Sequence, residues 1–530
     1  MTALGARLAA LVVLGGRLRI LDSVDSNGKT EVSGSAIVRA LTIAAAAAAA
    51  IGAVSVFRHP LHVDVGYFLD VAQRVLNGER LYVDILEPNP PLVVYLMAVP
   101  AGVAGLTGAD PVALLRVATL AACVASLAAG WWIGRRYLPP TVAAFTMAVA
   151  TAVTLVAEPG EFAQRDGLMI VLLLPYVFAA GARRAARPIP RAVAIGSGVA
   201  AGLGIALKPY FLLALVAVEL CVAAGAGVRS LRRAEALAAW GVLVLYVVFV
   251  SAIHREYFAV AALAAEHYRY FAPNARADLA ALGAVIALIS ALGFVFAWAA
   301  PSSRPLAPVL FSVSLALVLS VVLQGKGFPY HWVPTYVATA AMLALAAAAT
   351  ATSGRSPHRL VPAVLLTGAL GVFSWRAHAT VDAAWQRLEG YPYYLSGFAR
   401  IVESAAPGEP VFSFWVAPGF PLVTYSSANW GSSFSSHWLL PSMRQRALRG
   451  EDVSSVRSFV LAAIAKDLAD RDPGLLLVDL RPRYNNLVGF DFLAFMRSDR
   501  VVAAHLERYE ELTRVGEFLV LRRSDVGVMP

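Results

Sequence analysis

The first residues that could carry chemistry are acids in a polar stretch between two long apolar runs. This stretch reads HPLHVDVGYFLDVAQRVLNGERLYVDILEPNPPL from residue 59 and carries Asp64, Asp70, Glu79, Asp84 and Glu87. A carboxylate beside an acceptor hydroxyl can act as a general base, because it takes the proton that the attacking oxygen loses. The other interpretation is a solvated loop whose acids only avoid the bilayer, and the sequence leaves both open.

A second polar stretch, EPGEFAQRDGLM from residue 158, brings acids and an arginine to the start of another apolar run. It contains Glu158, Glu161, Arg165 and Asp166. Asp166 opens the predicted helix, where a carboxylate caps free amide groups and meets the positive end of the helix dipole. An acid at the lipid boundary is also a candidate functional residue, so Asp166 has both a structural and a functional interpretation.

Two lysines lie where the outer ends of apolar runs are expected. Lys326 lies between two glycines in QGKGFPYHWVP, just before Tyr330 and His331, and Lys208 lies in ALKPYF. An ammonium group at the headgroup level can bind a phosphate, and the imidazole can add a second donor. The alternatives are snorkelling of the lysines and a simple interfacial position of the aromatic rings.

The composition predicts that lipid surrounds most of the elements that position these residues. Hydrophobic residues make up 59% of the chain and charged residues 15%, against about 25% charged in soluble domains. A formal charge of +10 can indicate nucleic-acid binding, but here the arginines cluster in short links between apolar runs. That pattern is typical of membrane topology, so we expect no nucleic-acid partner. Cys123 and Cys221 lie within apolar runs and provide neither a disulfide framework nor a zinc site.

Eleven runs approach the length of about 20 mainly apolar residues that a membrane-spanning helix needs. They lie near residues 37–57, 111–134, 141–157, 166–182, 192–208, 210–228, 236–253, 279–300, 306–323, 332–352 and 360–376. The run at 91–108 is equally apolar. If it stays in the outer leaflet instead of crossing, the arginine-rich links after the second, fourth and sixth spans all lie on one side. The positive-inside rule therefore favours a membrane-seated segment there.

This assignment predicts three parts of the chain. Residues 1–35 form a cytoplasmic tail, 36–376 a transmembrane domain and 377–530 an exported domain. The loops at 58–90, 158–165, 254–278 and 324–331 then lie outside, on the side of the exported domain. We therefore expect a multi-pass protein of the plasma (inner) membrane, with a cytoplasmic N-terminus.

The exported part has the sequence pattern of a small α/β domain. Runs at 411–415, 475–480 and 518–521 predict strands, and the spacing at 454–469 predicts an amphipathic helix. An aromatic and serine-rich stretch from Phe420 to Pro441 contains Trp430, His437 and Trp438. These rings either stack on a glycan or pack in the core of the domain.

Four short motifs occur along the chain in a fixed order. They are DVGYF from Asp64, EPNPPL from Glu87, EFAQRD ending at Asp166 and KGFPYHWVP from Lys326. Together they resemble the membrane-embedded glycosyltransferases of the GT-C fold, particularly the branch with protein mannosyltransferases and the lipid A aminoarabinose transferase. The resemblance covers roughly residues 36–376. The expected architecture is an α-helical polytopic membrane protein with about 11 transmembrane helices, a membrane-seated segment and a small C-terminal α/β extracytoplasmic domain.

Members of this family transfer a sugar from a polyprenyl-phosphate carrier to an acceptor at the outer face of the membrane. The resemblance implies that Asp64 is the general base. It implies that Asp166 positions the acceptor or, as in metal-using members, helps to hold a divalent cation. Glu87 matches an acid that precedes a Pro-Pro pair in relatives. The expected substrate-binding residues are Glu87, Arg165, Lys208, Lys326, Tyr330 and His331. Cations that stabilise the leaving phosphate can replace a general acid.

The chain departs from the family pattern at two positions. Asn89 stands where relatives of the aminoarabinose type carry a lysine before the Pro-Pro pair, which removes one expected phosphate contact. Val65 stands where an acidic neighbour usually follows the first aspartate, which weighs against metal use.

The expected partners are a polyprenyl-phosphate-linked sugar, membrane lipids and an envelope glycan, lipid or protein that accepts the sugar. A transporter or flippase of lipid-linked sugars is the main alternative, because it would share the apolar spans and outer cations. Transporters usually carry paired repeats and charges at the membrane midplane, whereas this chain has no evident repeat and gathers its ionisable residues at one face. A non-catalytic scaffold in envelope assembly is a third alternative, in which Asp64 and Lys326 would be replaceable.

Overall fold

The computed structural model describes residues 21–24, 30–32, 34–156, 159–267, 270, 276–353, 393–414, 416–480, 482 and 487–525. A two-stranded antiparallel sheet, β1 Leu21–Val24 with β2 Thr30–Val32, precedes the helices. The helices of the membrane part are α1 Gly34–Ser55, α2 Val63–Leu76, α3 Leu92–Thr107, α4 Pro111–Gly134, α5 Pro140–Val156, α6 Arg165–Arg184, α7 Arg191–Ala206, α8 Leu212–Ala226, α9 Ala234–Ile253, α10 Glu256–His267, α11 Arg276–Ala299, α12 Ala307–Gln324 and α13 Pro329–Thr352.

Ten of the eleven predicted spans correspond to helices, and the eleventh, at 360–376, lies outside the described residues. Within the described ranges, eight helices are long and apolar enough to cross a membrane, while α3, α5 and α7 are apolar but shorter. The long ones are α1, α4, α6, α8 with its preceding 3₁₀ turn, α9, α11, α12 and α13. The prediction of a polytopic helical membrane protein is therefore confirmed.

The helices differ in how much of their surface protein covers. Helices α6 and α13 are almost entirely buried at the centre of the bundle, and the alanine-rich sequence of α13 allows its neighbours to approach closely. Helix α9 exposes Val244, Val247 and Val248, as a lipid-facing helix should. The two central helices therefore form the scaffold, and each begins at the same polar region with candidate site residues.

Helix α2 lies in the first polar loop and was not predicted from the sequence. Its buried positions include Val65, Phe68, Leu69 and Ala72, which recur at the spacing of one helical face. His62 precedes the helix as its N-cap, and its side chain accepts a hydrogen bond from the backbone N–H of Asp64. This cap fixes the start of the helix, which is where Asp64 lies.

The C-terminal part has α/β structure. Its elements are α14 Tyr393–Ala405, β3 Pro410–Ser413, α15 Val416–Tyr425, β4 Asn429–Trp430, α16 Leu440–Leu448, α17 Ser454–Asp470, β5 Leu475–Asp479, α18 Phe492–Arg497, α19 Arg500–Leu506, β6 Tyr509–Val515 and β7 Phe518–Arg523. The sheet order is β4-β3-β5-β7-β6, with β3 parallel to both neighbours and β7 antiparallel to both of its own. The three predicted strands and the helix at 454–469 are confirmed.

This C-terminal unit packs directly on α2 and the loop that follows it. The Tyr67 ring meets Phe420 of α15 edge to face, with centroids 4.9 Å apart. Further along, the Glu79 carboxylate accepts from Arg471 at 2.8 Å, and the Leu86 N–H donates to the Ser433 carbonyl at 2.8 Å. The unit therefore holds the segment that carries the first candidate acids.

Candidate active site at the membrane surface

The predicted site residues surround one cavity of about 350 Å³. Arg165, Lys208, Lys326, Tyr330 and His331 all line it. The three remaining candidates are acids that lie next to the lining residues. The structure thus brings together all eight residues that the sequence predicted, from four separate stretches of the chain.

Asp166 and Lys208 form a buried ion pair, with 2.6 Å between Oδ2 and Nζ. Asp166 does not cap its helix, since Gln164 is the N-cap residue and its side chain makes no capping bond. The second oxygen of Asp166, Oδ1, is buried without a hydrogen-bond partner in the described part of the chain. Burial lowers the pKa of Lys208 to about 8, although the neighbouring carboxylate opposes this shift. Asp166 therefore orients a lysine whose charge is easily lost.

Lys326 lies on a sharp turn between α12 and α13. Gly325 and Gly327 both have positive φ angles, 67° and 59°, which explains why glycine flanks the lysine on each side. Burial lowers the pKa of Lys326 well below its usual range, and repulsion from Lys208 and Arg165 adds to this effect. Basic side chains that are held close together out of water favour the binding of an anion.

Aromatic rings enclose the cations on one side. The Lys208 Nζ lies 5.1 Å from the centroid of the Tyr330 ring, close enough for a cation–π contact. Tyr330 in turn packs edge to face on His331, with centroids 4.6 Å apart. The Nδ1 of His331 is buried and has no hydrogen-bond partner among the described residues. The imidazole is therefore available to a ligand in the cavity.

Glu87 acts on the cavity through Asn89. The Glu87 side chain is buried and accepts hydrogen bonds from both the backbone N–H, at 2.8 Å, and the side-chain amide of Asn89. The Asn89 side-chain oxygen accepts from the Arg165 guanidinium. Burial raises the pKa of Glu87. The neutral residue at position 89 thus contacts an arginine in the cavity wall.

Asp64 lies at the start of α2, close to these cations. Its Oδ2 accepts a hydrogen bond from the Gln164 side-chain amide at 3.3 Å. Although burial favours the neutral acid, the neighbouring His62, Arg165 and Gln164 lower the pKa of Asp64 below its usual value. The carboxylate is therefore ionised at neutral pH, which a general base requires.

These contacts also determine which loops share one side of the membrane. Asn89 and Gln164 belong to loops that are separated by α3, α4 and α5, and both loops meet at this site. An odd number of crossings would keep the two loops apart, so the three helices cannot all cross. Helices α3, α5 and α7 are all shorter than the bilayer core of about 30 Å, so length alone does not decide which of them crosses. Because α4 and α5 form a hairpin with a short link, these contacts favour α3 as the non-crossing segment, and its place in the membrane stays a prediction.

An apolar groove of about 530 Å³ adjoins the charged cavity. Pro90, Pro209 and Tyr257 line both spaces, so the two are continuous at these residues. The rest of the groove is formed by α7, α8, α9 and α10, and includes Ile205, Leu212, Trp240, Val244, Val247 and Phe258. A ligand with an anionic head and a long apolar tail fits this arrangement.

The residues at Asp166 do not fit a divalent cation. The Lys208 ammonium already neutralises this carboxylate. Arg165 and Lys326 are further basic side chains near Lys208, and positive charge there disfavours a metal cation. Across the described ranges, no group of three or more His, Cys, Asp or Glu side chains is placed to share a metal ion. We therefore assign no step of the reaction to a metal.

Trp430, His437 and Trp438 lie in the core of the C-terminal unit. Each is at most 3% exposed, and the ring of His437 packs on Phe412, Phe414 and Phe434. Of the two interpretations of these rings, packing therefore applies and stacking on a glycan does not.

Sequence reasoning missed three residues of the site. His62 and Gln164 contact Asp64, while Asn89 contacts Arg165. The position of His62 just before the amphipathic repeat of α2 was an available signal, because a side-chain acceptor is expected there. Gln164 gives no comparable signal, since it is a neutral polar residue in a polar loop. Asn89 was noted in the sequence only as a missing phosphate contact, and its bond to Arg165 was not predicted.

No model of a known protein family matches the chain, and no curated protein matches it in sequence. Among solved structures it is similar to ArnT from Cupriavidus metallidurans bound to undecaprenyl phosphate, with 16% identity and a TM-score of 0.56. The alignment covers 90% of this chain and 97% of that one. The apo state of the same protein aligns over the same shares, with 16% identity and a TM-score of 0.55. The chain therefore has the GT-C fold that the sequence motifs predicted.

Proposed function

We propose that this chain is a membrane glycosyltransferase that moves a sugar from a polyprenyl-phosphate carrier to an envelope lipid, polysaccharide or protein. The observation that carries the proposal is the ionised Asp64 beside a cavity lined by Arg165, Lys208 and Lys326. A base and a phosphate-binding cluster in one site are the two components that such a transfer needs. The GT-C fold and the undecaprenyl phosphate bound to ArnT support the same assignment.

In the proposed reaction, Asp64 takes the proton of the acceptor hydroxyl as its oxygen attacks the anomeric carbon of the donor. The bond between that carbon and the carrier phosphate breaks, and the phosphate keeps the electron pair. Lys208, Lys326 and Arg165 stabilise the charge that develops on this phosphate, so a general acid is not needed. Asp166 holds Lys208 in place through the ion pair at 2.6 Å.

The apolar groove next to the cavity is the proposed site of the carrier's polyprenyl chain. Its lining is almost entirely hydrocarbon and aromatic, and it opens beside α9, which exposes apolar side chains. A lipid donor could therefore enter from the bilayer with its phosphate directed to the cations. A soluble donor would gain nothing from this groove.

We infer that the site faces the outside of the plasma (inner) membrane. The basic links after α4, α6 and α8 lie at the opposite ends of the helices from the site, and basic links favour the cytoplasm. The C-terminal unit packs on the side of the protein where the site lies. With this orientation, we propose a transmembrane domain of 36–376 and an exported domain of 377–530. The cytoplasmic N-terminus is part of this proposal.

The experiment compares wild type with Asp64→Asn at matched membrane levels. The donor is a radiolabelled organic-solvent extract of the source membranes, which contains their polyprenyl-phosphate sugars, and the product is label in envelope glycans. We expect the substitution to lower transfer roughly 10²-fold or more, because it removes the proton acceptor. Asp84→Asn is the matched control, because its carboxylate lies in the same loop and pairs with the exposed Arg80.

Undiminished transfer by Asp64→Asn would rule out Asp64 as the base. An equal loss in Asp84→Asn would point to the fold of the loop instead of its chemistry. If neither wild type nor variants transfer label although undecaprenyl phosphate binds, the transporter alternative gains support over an enzyme.

A further inference from the structure

The Nδ1 atom of His62 receives two hydrogen-bond donors. The backbone N–H of Asp64 lies 3.1 Å from it, and the side-chain amide nitrogen of Gln164 lies 2.6 Å from it. Backbone and side-chain amide N–H groups donate only, so Nδ1 must offer a lone pair to both. The ring is therefore neutral and carries its hydrogen on Nε2.

The other ring nitrogen has a partner that favours the same tautomer. His62 Nε2 lies 3.5 Å from a carboxylate oxygen of Glu161, a group that attracts an N–H at Nε2 and cannot donate to this nitrogen. A hydrogen-bond partner at one imidazole nitrogen sets the protonation of the other. The ring edge is held further by Tyr330, whose ring packs against it at a centroid distance of 5.6 Å.

Gln164 connects this ring to the candidate base. Its buried side-chain amide lies within hydrogen-bond distance of both His62 Nδ1 and Asp64 Oδ2. One amide group thus bridges the two side chains, while His62 also caps the helix on which Asp64 lies. The orientation of the carboxylate is therefore determined by two neutral residues.

Resting on the proposed function, we propose that His62 and Gln164 position the Asp64 carboxylate for catalysis, and that His62 does so only as the neutral Nε2–H tautomer. They are positioning residues, because Asp64 alone contacts the acceptor hydroxyl. A positioning contact of this kind fixes the geometry in which the base meets its proton.

Protonation of His62 would dismantle this arrangement. A hydrogen on Nδ1 would face the two donors that now point at this atom. Because Nδ1 lies 3.9 Å from Asp64 Oδ2, the charged ring would form an ion pair with the Asp64 carboxylate. The charged and titratable groups that face the ring are Asp64 of α2, Glu161 of the loop before α6, Arg165 at the start of α6, and Tyr330 of α13. Burial, together with Arg165, lowers the pKa of His62 although Asp64 opposes the shift, which keeps the ring neutral near pH 7.

The acid limb of the pH–rate profile tests the proposal. In wild type, transfer from the radiolabelled lipid extract should fall as pH decreases through the pKa of His62, below 6.5. In His62→Asn the side-chain oxygen still caps the helix, because asparagine is a favoured N-cap residue, but it does not titrate. We expect a lower plateau and an acid limb shifted about one pH unit downward, toward the range of aspartate. His62→Leu should lose rate at every pH, with the KM for the donor extract unchanged.

A second measurement needs no donor. The full-length protein in detergent, labelled with ¹⁵N-histidine, contains nine histidines, and the signal that disappears in His62→Asn identifies His62. At pH 7.5 this signal should report a bare Nδ1 and a protonated Nε2. Gln164→Leu should weaken that preference, because it removes one of the two donors.

A charged His62 ring or the Nδ1–H tautomer at pH 7.5 would overturn the proposal, as would acid limbs that coincide in wild type and His62→Asn. If no protein transfers label under any condition, the glycosyltransferase assignment fails. The histidine signal then still decides whether His62 and Gln164 hold Asp64 as described.

Discussion

Helix α6 carries an ionic cluster at each end, and the two clusters differ in how their charges are balanced. At its start lies the outer cluster, in which Asp166 pairs with Lys208 and Arg165 and Lys326 line the same cavity. At its end lies the inner cluster, which consists of Arg183, Arg233, Glu219 and Glu235. The inner pairs are Arg233 with Glu219 at 2.5 Å, Arg233 with Glu235 at 3.1 Å and Arg183 with Glu235 at 2.8 Å.

The difference shows how a structural cluster can be told from a binding cluster. The inner charges neutralise one another and join α6, α8 and α9, and the Tyr176 hydroxyl adds a contact at 3.0 Å from Arg233. The outer cluster gathers Arg165, Lys208 and Lys326 around one cavity. Basic side chains that line a cavity can bind an anion, whereas charges that neutralise one another between packed helices are structural, so the outer cluster is the candidate site.

The largest effect that would test this comparison is on stability. Arg233→Met leaves the buried Glu219 without its closest cation, and breaking a buried ion pair in this way costs about 3 kcal/mol or more. We expect the free energy of unfolding to fall by that amount in an SDS titration of the purified protein. Undecaprenyl phosphate binding by the folded fraction should not change. Weakened binding at unchanged stability would show that the inner cluster is not structural.

The next effect is on ligand binding. Lys326→Met removes a cation from the outer cavity, and a hydrogen bond to a charged group contributes about 1.5–3 kcal/mol. We expect undecaprenyl phosphate affinity, measured by native mass spectrometry, to fall at least roughly tenfold. The unfolding midpoint should stay the same or rise, because repulsion with Lys208 is relieved. Lys466→Met is a control, since Lys466 is exposed on the C-terminal unit. An equal loss of affinity there would make the cavity assignment wrong.

The smallest effect is on the pH dependence of the same affinity. The pKa of Lys208 is lowered by burial to about 8, so this residue is charged below that pH and neutral above it. Undecaprenyl phosphate binding should therefore weaken as pH rises through about 8, by up to about tenfold per unit for each proton involved. Titration of Lys208→Met should give a shallower slope. A flat profile in wild type would mean that the lysines are not the phosphate ligands.

The sequence predicted the membrane fold well because its signal is local. A membrane-spanning helix can be recognised from the length of its apolar run, and ten such runs match described helices. Helix α2 was missed although Val65, Phe68, Leu69 and Ala72 have helical spacing. Strand β6 was missed because its sequence, YEELTRV, is polar and mostly uncovered, so no apolar run marks it.

The candidate site was predicted in composition but not in its contacts. Lys208 and Lys326 stood out because cations are unusual at the outer ends of spans. Their arrangement depends on packing: Lys208 pairs with Asp166 from 42 positions away in sequence. His62 and Gln164 are ordinary polar residues until α6 packs beside α2, and only then do they bridge to Asp64. Contacts of this kind arise from tertiary structure and leave no local pattern.

The packing of α15 on α2 has a consequence for the order in which the protein is made. Helix α2 is synthesised early, but its partners Phe420 and Arg471 follow about 350 to 390 residues later in the chain. Until they arrive, Tyr67 and Glu79 lack the contacts that hold the helix in place. The site therefore has all of these contacts only after residue 471 has been translated. A chain truncated before residue 420 would therefore carry Asp64 on a helix that lacks its contact with Phe420 and the nearby contact between Glu79 and Arg471.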